Sequence, residues 1–421
     1  MSYHLFQVFG VEIEYAVVRG DTLAVTPDVD RLLTALGGGP DAHPSLGGVE
    51  ADNELAAHVL EMKLRRPLPG LAAQVADFAG FVKLLNRTLG EWGARLMPGG
   101  MHPFMDPARE SRLWPHEDSA IYRTFDRVFG CRGHGWFNIQ SVHLNLPFCG
   151  DEEFSQLHNG ISLVLPLLPA LAAASPIFEG RAQGWLDSRL FHYVANQRKL
   201  PAIIGGIVPE PVGSESEYRE RILAPMYKQI APLDPEGTLQ DEWLNSRAAI
   251  ARFDREAIEI RCLDTQEAPL ADLALCHLAV ALVKRLMALN PDLHSVHRRI
   301  PEGLLKALFL ASAEKGRAAP LPPEFPARAF GMDPGPATVG AFLQALWEEV
   351  RKDDASPENA LFGPVIGHIL SQGSLAERIL RAAPKPEGYP GVYLALCGCL
   401  DTGTLFNPGT LFDPGGRILA A

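Results

Sequence analysis

The chain has 421 residues, of which 38 are Lys or Arg and 50 are Asp or Glu, so its formal net charge is -12. This acidic balance disfavours a general attraction to nucleic acid or to an anionic membrane surface. The longest apolar run, residues 161–174, contains Pro166 and Pro169 and is shorter than the roughly 20 residues that a membrane-spanning helix needs.

The first hundred residues mix strand and helix patterns. Strands are indicated by alternating apolar residues, and helices by apolar residues three and four positions apart. In chain order we predict a strand over residues 5–18, a turn at 19–22, a short strand near 23–25, a helix over 28–36, a Gly-rich loop at 37–48, extended segments at 49–51 and 56–63, a long amphipathic helix over 71–96, and a loop at 99–104.

The rest of the chain is dominated by helix patterns. Beyond residue 384 the sequence becomes rich in Gly and Pro, and residues 403–408 are repeated in similar form at 409–414, too few copies for a solenoid. We therefore predict one domain over residues 1–385 and an arm over 386–421, packed on the body or on a partner. Further predicted elements are helices over 152–174, 270–290, 341–352 and 374–383, with irregular segments at 175–181 and 320–323.

The six cysteines are too few, in a chain of this length, for a dense disulfide framework, and we interpret them as thiols. Cys397 and Cys399 would suit a metal or a redox pair, but no second pair completes a tetrahedral site. The chain begins without a basic stretch followed by an apolar one, so no secretory signal is predicted and we expect a cytoplasmic protein.

Three apolar segments far apart in the sequence carry charged or polar residues at every second position. They are Val-Glu-Ile-Glu-Tyr at 11–15, Val-His-Leu-Asn-Leu at 142–146 and Ile-Glu-Ile-Arg-Cys at 258–262. Side chains of a β-strand alternate between its two faces, so each segment predicts a strand with one apolar face and one face of ligand-forming groups. An exposed strand face explains any one of these segments; three together favour a charged ligand.

The ligand-forming residues suit a metal and phosphate site. Magnesium prefers oxygen ligands and commonly bridges carboxylates to substrate phosphates. Arg261 shares a strand face with Glu259 and offers the planar fork that suits a phosphate. Alone, the two residues fit an ordinary ion pair on an exposed strand. Together with the other segments they suggest phosphoryl transfer. The candidate metal ligands are Glu12, Glu14, Glu54, Glu61, His143 and Glu259.

Other signatures of catalysis are missing from the sequence. There is no Gly-x-x-x-x-Gly-Lys-Ser/Thr loop, and residues 130–135 lack the spacing of a dinucleotide fingerprint. No Gly-x-Ser-x-Gly and no His-Glu-x-x-His occurs either. A sheet, and not a glycine cradle, is therefore expected to hold any ATP.

An ordered set of short motifs resembles glutamate-cysteine ligase family 2, the carboxylate-amine ligases of the glutamine synthetase and γ-glutamylcysteine synthetase superfamily. The similarity extends over about residues 5–385, with two departures. Only one histidine, His143, stands where many relatives have His-x-His, and Met101 replaces a small polar residue. The motifs are Phe-Gly-Val-Glu-Ile-Glu-Tyr at 9–15, Gly-Met-His-Pro-Phe at 100–104, Val-His-Leu-Asn at 142–145, Ser-Pro-Ile-Phe-Glu-Gly-Arg at 175–181 with Ser-Arg at 188–189, and Ala-Ile-Glu-Ile-Arg-Cys-Leu-Asp at 257–264.

The resemblance implies an α+β fold in which a curved antiparallel sheet encloses an ATP and metal site, with helices packed outside. It implies an ATP-dependent ligase that activates a carboxylate, typically of glutamate, as an acyl phosphate, which an amine such as cysteine then attacks to form a γ-glutamyl-type amide. Mg²⁺ or Mn²⁺ would neutralise the phosphates, and a homodimer is expected. By position, the six candidate ligands match the family's metal places and Arg261 matches the arginine at the transferred phosphate; Arg247 and Arg252 are further candidates for phosphate contact.

Several interpretations remain open from the sequence. His102, Arg181 and Arg189 suit substrate contacts, although loop capping by the histidine and ordinary salt bridges of the arginines explain them equally well. Two other functions also fit: an ATP-dependent phosphotransferase of the same superfamily, and a non-catalytic nucleotide-binding relative. The identity of the acid and of the amine is not specified by the motifs.

Overall fold

A computed structural model of the chain describes residues 3–409 except 302 and 353, together with the short strands at 411–412 and 418–420. The β-strands are β1 Gly10–Arg19, β2 Ser45–Leu46, β3 Val49–Asn53, β4 Val59–Leu64, β5 Ala94–Met97, β6 Ser141–Pro147, β7 Ile177–Phe178, β8 Arg181–Ala182, β9 Ala249–Arg252, β10 Ala257–Asp264, β11 Leu411–Phe412 and β12 Ile418–Ala420.

The helices surround this set of strands, and short 3₁₀ turns join several of them. They are α1 Val29–Gly37, α2 Gln74–Gly90, α3 Pro107–Glu110, α4 Ser119–Phe129, α5 His134–Phe137, α6 Gly150–Val164, α7 Pro169–Ala172, α8 Ser188–Asn196, α9 Glu215–Tyr218, α10 Ala224–Ile230, α11 Pro269–Leu289, α12 Leu293–Arg298, α13 Leu304–Lys315, α14 Val339–Arg351, α15 Pro357–Gln372, α16 Leu375–Ala382 and α17 Tyr389–Thr402.

The central feature is an eight-stranded antiparallel sheet in the order β2-β3-β4-β1-β6-β10-β9, with β5 also paired to β1. Along one edge of β1, its first half pairs with β6 and its second half with β5. The sheet ends at β2 and β9 and does not close into a barrel. The expected α+β class, with an antiparallel sheet flanked by helices, is thus confirmed.

One face of the sheet forms the main hydrophobic core. Val11, Ile13 and Tyr15 of β1 are at most 1% exposed, and they alternate with the acidic residues of the same strand. The helix α11 is mostly apolar because it packs between α2, α6, α14 and α15. Each fully buried aliphatic or aromatic side chain contributes about 1.5–3 kcal/mol, so this face fixes the register of the strands.

Two long helices predicted from the sequence are shorter than expected. The helix predicted over 71–96 ends at Gly90, because Gly93 (φ +66°) reverses the chain and Ala94–Met97 pairs with β1 as β5. The helix predicted over 152–174 is divided into α6, a 3₁₀ turn and α7, with Pro166 and Pro169 at the breaks.

The segment predicted as an arm, residues 386–421, contains a helix near its start. Residues 389–402 form α17, which packs against α2 and β5 and buries Tyr393, Leu396 and Cys397 in a second apolar cluster. Apolar residues on successive turns drive this helix despite its Gly and Pro content. The first copy of the 403–408 repeat follows it, while residues 410, 413 and 414 of the second copy lie outside the described residues. Within the described part, no helix combines the length and apolarity of a membrane span.

Candidate active site

The polar faces of β1, β6 and β10 meet in the middle of the sheet. Glu12 is the cross-strand partner of His143, and Glu259 is the partner of Asn145. The His143 Nδ1 lies 3.1 Å from Glu12 Oε2 and 3.7 Å from Glu259 Oε1. Asn145 Nδ2 donates a hydrogen bond to Glu12 Oε1 at 3.2 Å. The three segments that the sequence singles out therefore form one surface.

Glu14 lies two residues after Glu12 on β1, and therefore on the same face of the sheet. The backbone N–H of Ser141 donates to Glu14 Oε2 at 2.8 Å, and the Ser141 hydroxyl donates to Oε1 at 3.3 Å. The His143 Nε2 lies 3.6 Å from Glu14 Oε1. Because Glu14 is also the direct partner of Glu61 on β4, it connects the two halves of the site.

Two groups of three residues can each present ligand atoms to one cation. In the first group, Glu12, Glu61 and His143 have ligand atoms that all lie within 4.8 Å of one another. In the second group, the same holds for Glu14, Glu54 and Glu61. Glu54 directly follows β3, and Glu61 belongs to both groups.

The pKa values of the acids in the cluster show that these carboxylates lack sufficient positive charge beside them. Burial raises the pKa of Glu54 to about 7, with the charge of Glu14 adding to the effect. Burial also raises the pKa of Glu61 well above its usual value, and the neighbouring acids Glu12 and Glu54 raise it further. Burial raises the pKa of Glu14 as well. Unpaired buried carboxylates are costly unless a cation accompanies them, so this donor set fits divalent metal ions.

Glu12 and His143 shift in opposite directions because they stabilise each other's charged forms. Burial opposes ionisation of Glu12, but the hydrogen bond and charge of His143 lower its pKa to about 2. Burial likewise opposes protonation of His143, but the Glu12 hydrogen bond and the charges of Glu259 and Glu14 raise its pKa to about 9.

Arg261 lies beside these acids on β10. A β-bulge between Ile260 and Leu263 places two residues of β10 opposite His143. The Arg261 Nε donates to Glu259 Oε1 at 3.0 Å, and its Nη2 also contacts that oxygen. Arg252 is more distant, with Nη1 3.8 Å from Glu259 Oε2 and its Nη2 paired to Asp254 at 3.1 Å. Arg261 thus lies at the cavity beside the acids, whereas Arg252 pairs mainly with Asp254.

A cavity of about 240 Å³ opens next to the acids and Arg261. Two of its polar atoms are buried without a hydrogen-bond partner among the described residues: Arg189 Nη2, a donor, and Gln197 Oε1, an acceptor. Such orphaned atoms indicate that the cavity is built for a polar ligand. Its other walls come from α4, α5, α8 and the segment near 243, and include Tyr122, Phe125, Trp136, Tyr193, Asn196 and Trp243.

Asp264 holds Arg189 in this position. The fully buried carboxylate accepts hydrogen bonds from Arg189 Nε at 2.5 Å and from the Ser175 hydroxyl and Ala174 N–H, each at 2.7 Å. A Cβ atom on Gly100 would come within 2.2 Å of Asp264 Cγ. The glycine and serine motifs of the sequence therefore serve to seat this carboxylate.

Three of the predicted residues lie elsewhere. Arg247 is not at the cavity, because its guanidinium forms a two-pronged pair with Glu210, at 2.6 and 2.8 Å. His102 is 1% exposed: its Nε2 lies 2.6 Å from Leu23 O, and the N–H groups of Phe104 and Met105 donate to Nδ1, so it organises its own loop. Arg181 is exposed on β8 and does not line the cavity.

Some residues of the site were missed in the sequence. Ser141 and Lys63 share strand faces with His143 and Glu61, so extending the two-residue alternation by one step would have included them. Tyr193 and Gln197 come from α8 and the residue after it, and Asp264 ends the Glu-Ile-Arg strand. No local signal marks Trp243.

Comparisons with known proteins identify the family of the chain. Residues 8–393 match the model of Glutamate-cysteine ligase family 2 (GCS2). An uncharacterized protein of Archaeoglobus fulgidus is 32% identical over 378 residues, which cover 90% of this chain and 93% of that protein. A Rubrobacter xylanophilus protein with the provisional name glutamate–cysteine ligase 2-3 is 32% identical over 190 residues, 43% of this chain and 45% of its own length.

Two solved structures share the fold. The crystal structure of glutamate–cysteine ligase from Francisella tularensis in complex with AMP has a TM-score of 0.59 at 14% identity, covering 96% of this chain and 90% of that one. A bifunctional glutathione synthetase from Pasteurella multocida has a TM-score of 0.54 at 15% identity, covering 93% of this chain and 53% of that one. At such low identity the likeness concerns the fold alone.

Proposed function

Because the chain belongs to glutamate-cysteine ligase family 2, we propose that it is an ATP-dependent carboxylate-amine ligase that joins a glutamate-like acid to an amine. The observation that carries the proposal is that Glu14, Glu54 and His143 of the acidic cluster line one cavity together with Arg261. The Francisella tularensis structure of the same fold is a complex with AMP, which supports a nucleotide as a ligand of this chain.

The donor set fits divalent metal ions, as the buried, incompletely paired carboxylates require. Glu12, Glu61 and His143 would hold one ion, and Glu14, Glu54 and Glu61 another. When bound, Mg²⁺ or Mn²⁺ would neutralise the phosphates of ATP and so favour attack on the γ-phosphate. Glu259 orients Arg261 and His143, with which it is in contact.

The proposed reaction has two steps, and Arg261 assists the first. A carboxylate oxygen of the acid attacks the γ-phosphorus, ADP leaves, and a mixed anhydride with phosphate forms. Arg261 is placed to stabilise the charge on the transferred phosphoryl group, since its guanidinium borders the cavity. The amine nitrogen then attacks the carbonyl carbon, the C–O bond to phosphate breaks, and an amide and phosphate are released.

The unpartnered Arg189 Nη2 and Gln197 Oε1 support an amino acid in the cavity. The guanidinium would bind a carboxylate, and the amide oxygen would accept a hydrogen bond from an ammonium group. Because both atoms are buried, leaving either one without a ligand partner costs free energy.

The proposal is tested by measuring ADP release across pairs of acids and amines, with amide product identified by mass spectrometry. A ligase requires the acid and the amine for product, and Glu61→Gln should abolish turnover. ADP release that depends on the acid alone, with a stable phosphorylated product, would show a phosphotransferase instead.

A further inference from the structure

Lys63 places a positive charge inside the acidic cluster. It lies on β4 two residues after Glu61, so the two side chains share a face of the sheet. Its ammonium contacts the Asp52 carboxylate and lies 3.5 Å from Glu61 Oε1. Its cross-strand partner on β1 is Glu12, and its side chain is 29% exposed. The lysine is therefore part of the site and not of the outer surface.

The position of Lys63 matters because Asp52 would otherwise extend the cluster. Asp52 is the cross-strand partner of Glu61, and its side chain is 17% exposed. Without the lysine, the carboxylates of Asp52 and Glu61 would face each other across β3 and β4 and could share a cation. The Lys63 ammonium lies between Asp52 and Glu61, and His43 Nδ1 lies 3.3 Å from the other side of Asp52.

The charges of the face can be counted. Glu259 is compensated by Arg261, and a ligating His143 is neutral. Of the remaining groups, five are carboxylates, Glu12, Glu14, Asp52, Glu54 and Glu61, and one is the Lys63 ammonium. Their net charge is −4, which two divalent cations would balance. The geometry likewise provides two groups of three ligands.

We propose that Lys63 is a built-in cation of the metal cluster, which takes the place of a further divalent ion beside Asp52, so that the protein holds two ions and not three. The inference rests on the proposed function only in treating the cluster as a metal site. A lysine ammonium is compact and donates three hydrogen bonds, so it can bridge two carboxylates as an ion does but cannot exchange or be chelated.

The test is to locate manganese by anomalous diffraction in crystals of the full chain grown with MnCl₂ and no nucleotide. The wild type should show two peaks, one at Glu12, Glu61 and His143 and one at Glu14, Glu54 and Glu61. Lys63→Met should gain a third peak beside Asp52, whereas Lys63→Arg, which keeps the charge, should keep two. Lys352→Met, on the exposed end of α14, is the matched control and should match the wild type.

A solution count of bound Mn²⁺, from the loss of the free-ion signal in electron paramagnetic resonance, supplies the same number for variants that do not crystallise. Three ions in the wild type, no bound ion at all, or two in Lys63→Met would overturn the proposal. The count does not depend on turnover. An active ligase with three ions would therefore refute only the role of Lys63, and an inactive protein with two ions would refute only the proposed activity.

Discussion

Glu12 and His143 face each other across β1 and β6, and their side chains meet at 3.1 Å between Oε2 and Nδ1. The imidazole thus binds the acid that the resemblance assigns to the metal, and both lie on the face opposite the core. A substitution here tests the metal cluster without removing core packing.

His143→Ala should weaken metal binding by on the order of 100-fold, because it removes one ligand and leaves Glu12 without its partner. The measurement is the Mg²⁺ concentration that gives half-maximal activity, together with Mn²⁺ titration by calorimetry. His116→Ala, at a histidine paired with Asp30 outside the cavity, is the matched control. Unchanged metal affinity in His143→Ala would remove this residue from the site.

Arg261→Lys should lower kcat by roughly 10²–10³-fold, the usual cost of losing one donor to a developing negative charge. Lysine keeps the charge but not the planar fork, so little recovery relative to Arg261→Ala is expected. Steady-state kinetics of both variants measure the effect. Arg181→Ala serves as the control because its guanidinium is exposed away from the cavity, and its kcat should equal that of the wild type. Equal losses in Arg181→Ala and Arg261→Lys would contradict the assignment.

The strands of the site were predictable because their signal is local. In β1, β6 and β10 apolar residues alternate with polar ones, and burial of the apolar set decides which face each Glu or His occupies. Their adjacency was not predictable in this way. Glu12 and His143 are 131 positions apart, and strand pairing over such distances depends on the whole fold. Only the resemblance to a family linked the segments.

His102 and Arg247 were wrongly assigned to the site for the same reason, because the partners that fix their roles are distant in the sequence. The role of His102 is set by the Leu23 carbonyl, 79 positions away, and that of Arg247 by Glu210. Neither partner follows from the motif around the residue. The helix α17 was missed because Pro390 and Gly391 in its first turn resemble a loop, whereas Pro is well tolerated there.

Removing one partner of the fully buried ion pair between Glu267 and Arg378 should be strongly destabilising. Arg378 Nη1 donates to Glu267 Oε1 at 2.5 Å and to Phe406 O at 2.6 Å, so it joins the end of β10 to α16 and the tail after α17. Glu267→Gln leaves a buried guanidinium without its counter-charge and should cost about 3–5 kcal/mol of unfolding free energy. Urea denaturation measures this. Glu348→Gln, in an exposed pair with Arg351, should have no measurable effect; a similarly small loss in Glu267→Gln would contradict the expectation.

Stability should fall in mild acid because His102 is buried in its neutral form. Burial lowers its pKa to about 4, below the usual 6.5, although the Leu23 carbonyl partly opposes the shift. The unfolded chain therefore binds a proton between pH 6.5 and 4 that the folded protein does not. The stabilisation is present above pH 6.5 and is lost as the pH falls, by about 2 kcal/mol between pH 7 and 5.

Comparing the pH dependence of urea unfolding in wild type and His102→Asn isolates this contribution. Over that range the free energy of unfolding should rise with pH more steeply in the wild type than in the variant. The difference in slope should correspond to about one additional proton bound on unfolding. Parallel curves would show that His102 does not titrate in this way.

The central claim is most directly tested by following oxygen from the acid to the phosphate. The protein is incubated with ATP, an amine and glutamate labelled with ¹⁸O in its side-chain carboxylate, and the released phosphate is analysed by mass spectrometry. An acyl phosphate intermediate predicts one ¹⁸O atom in each phosphate, in a yield equal to that of the amide. Unlabelled phosphate accompanying ADP release would contradict the account.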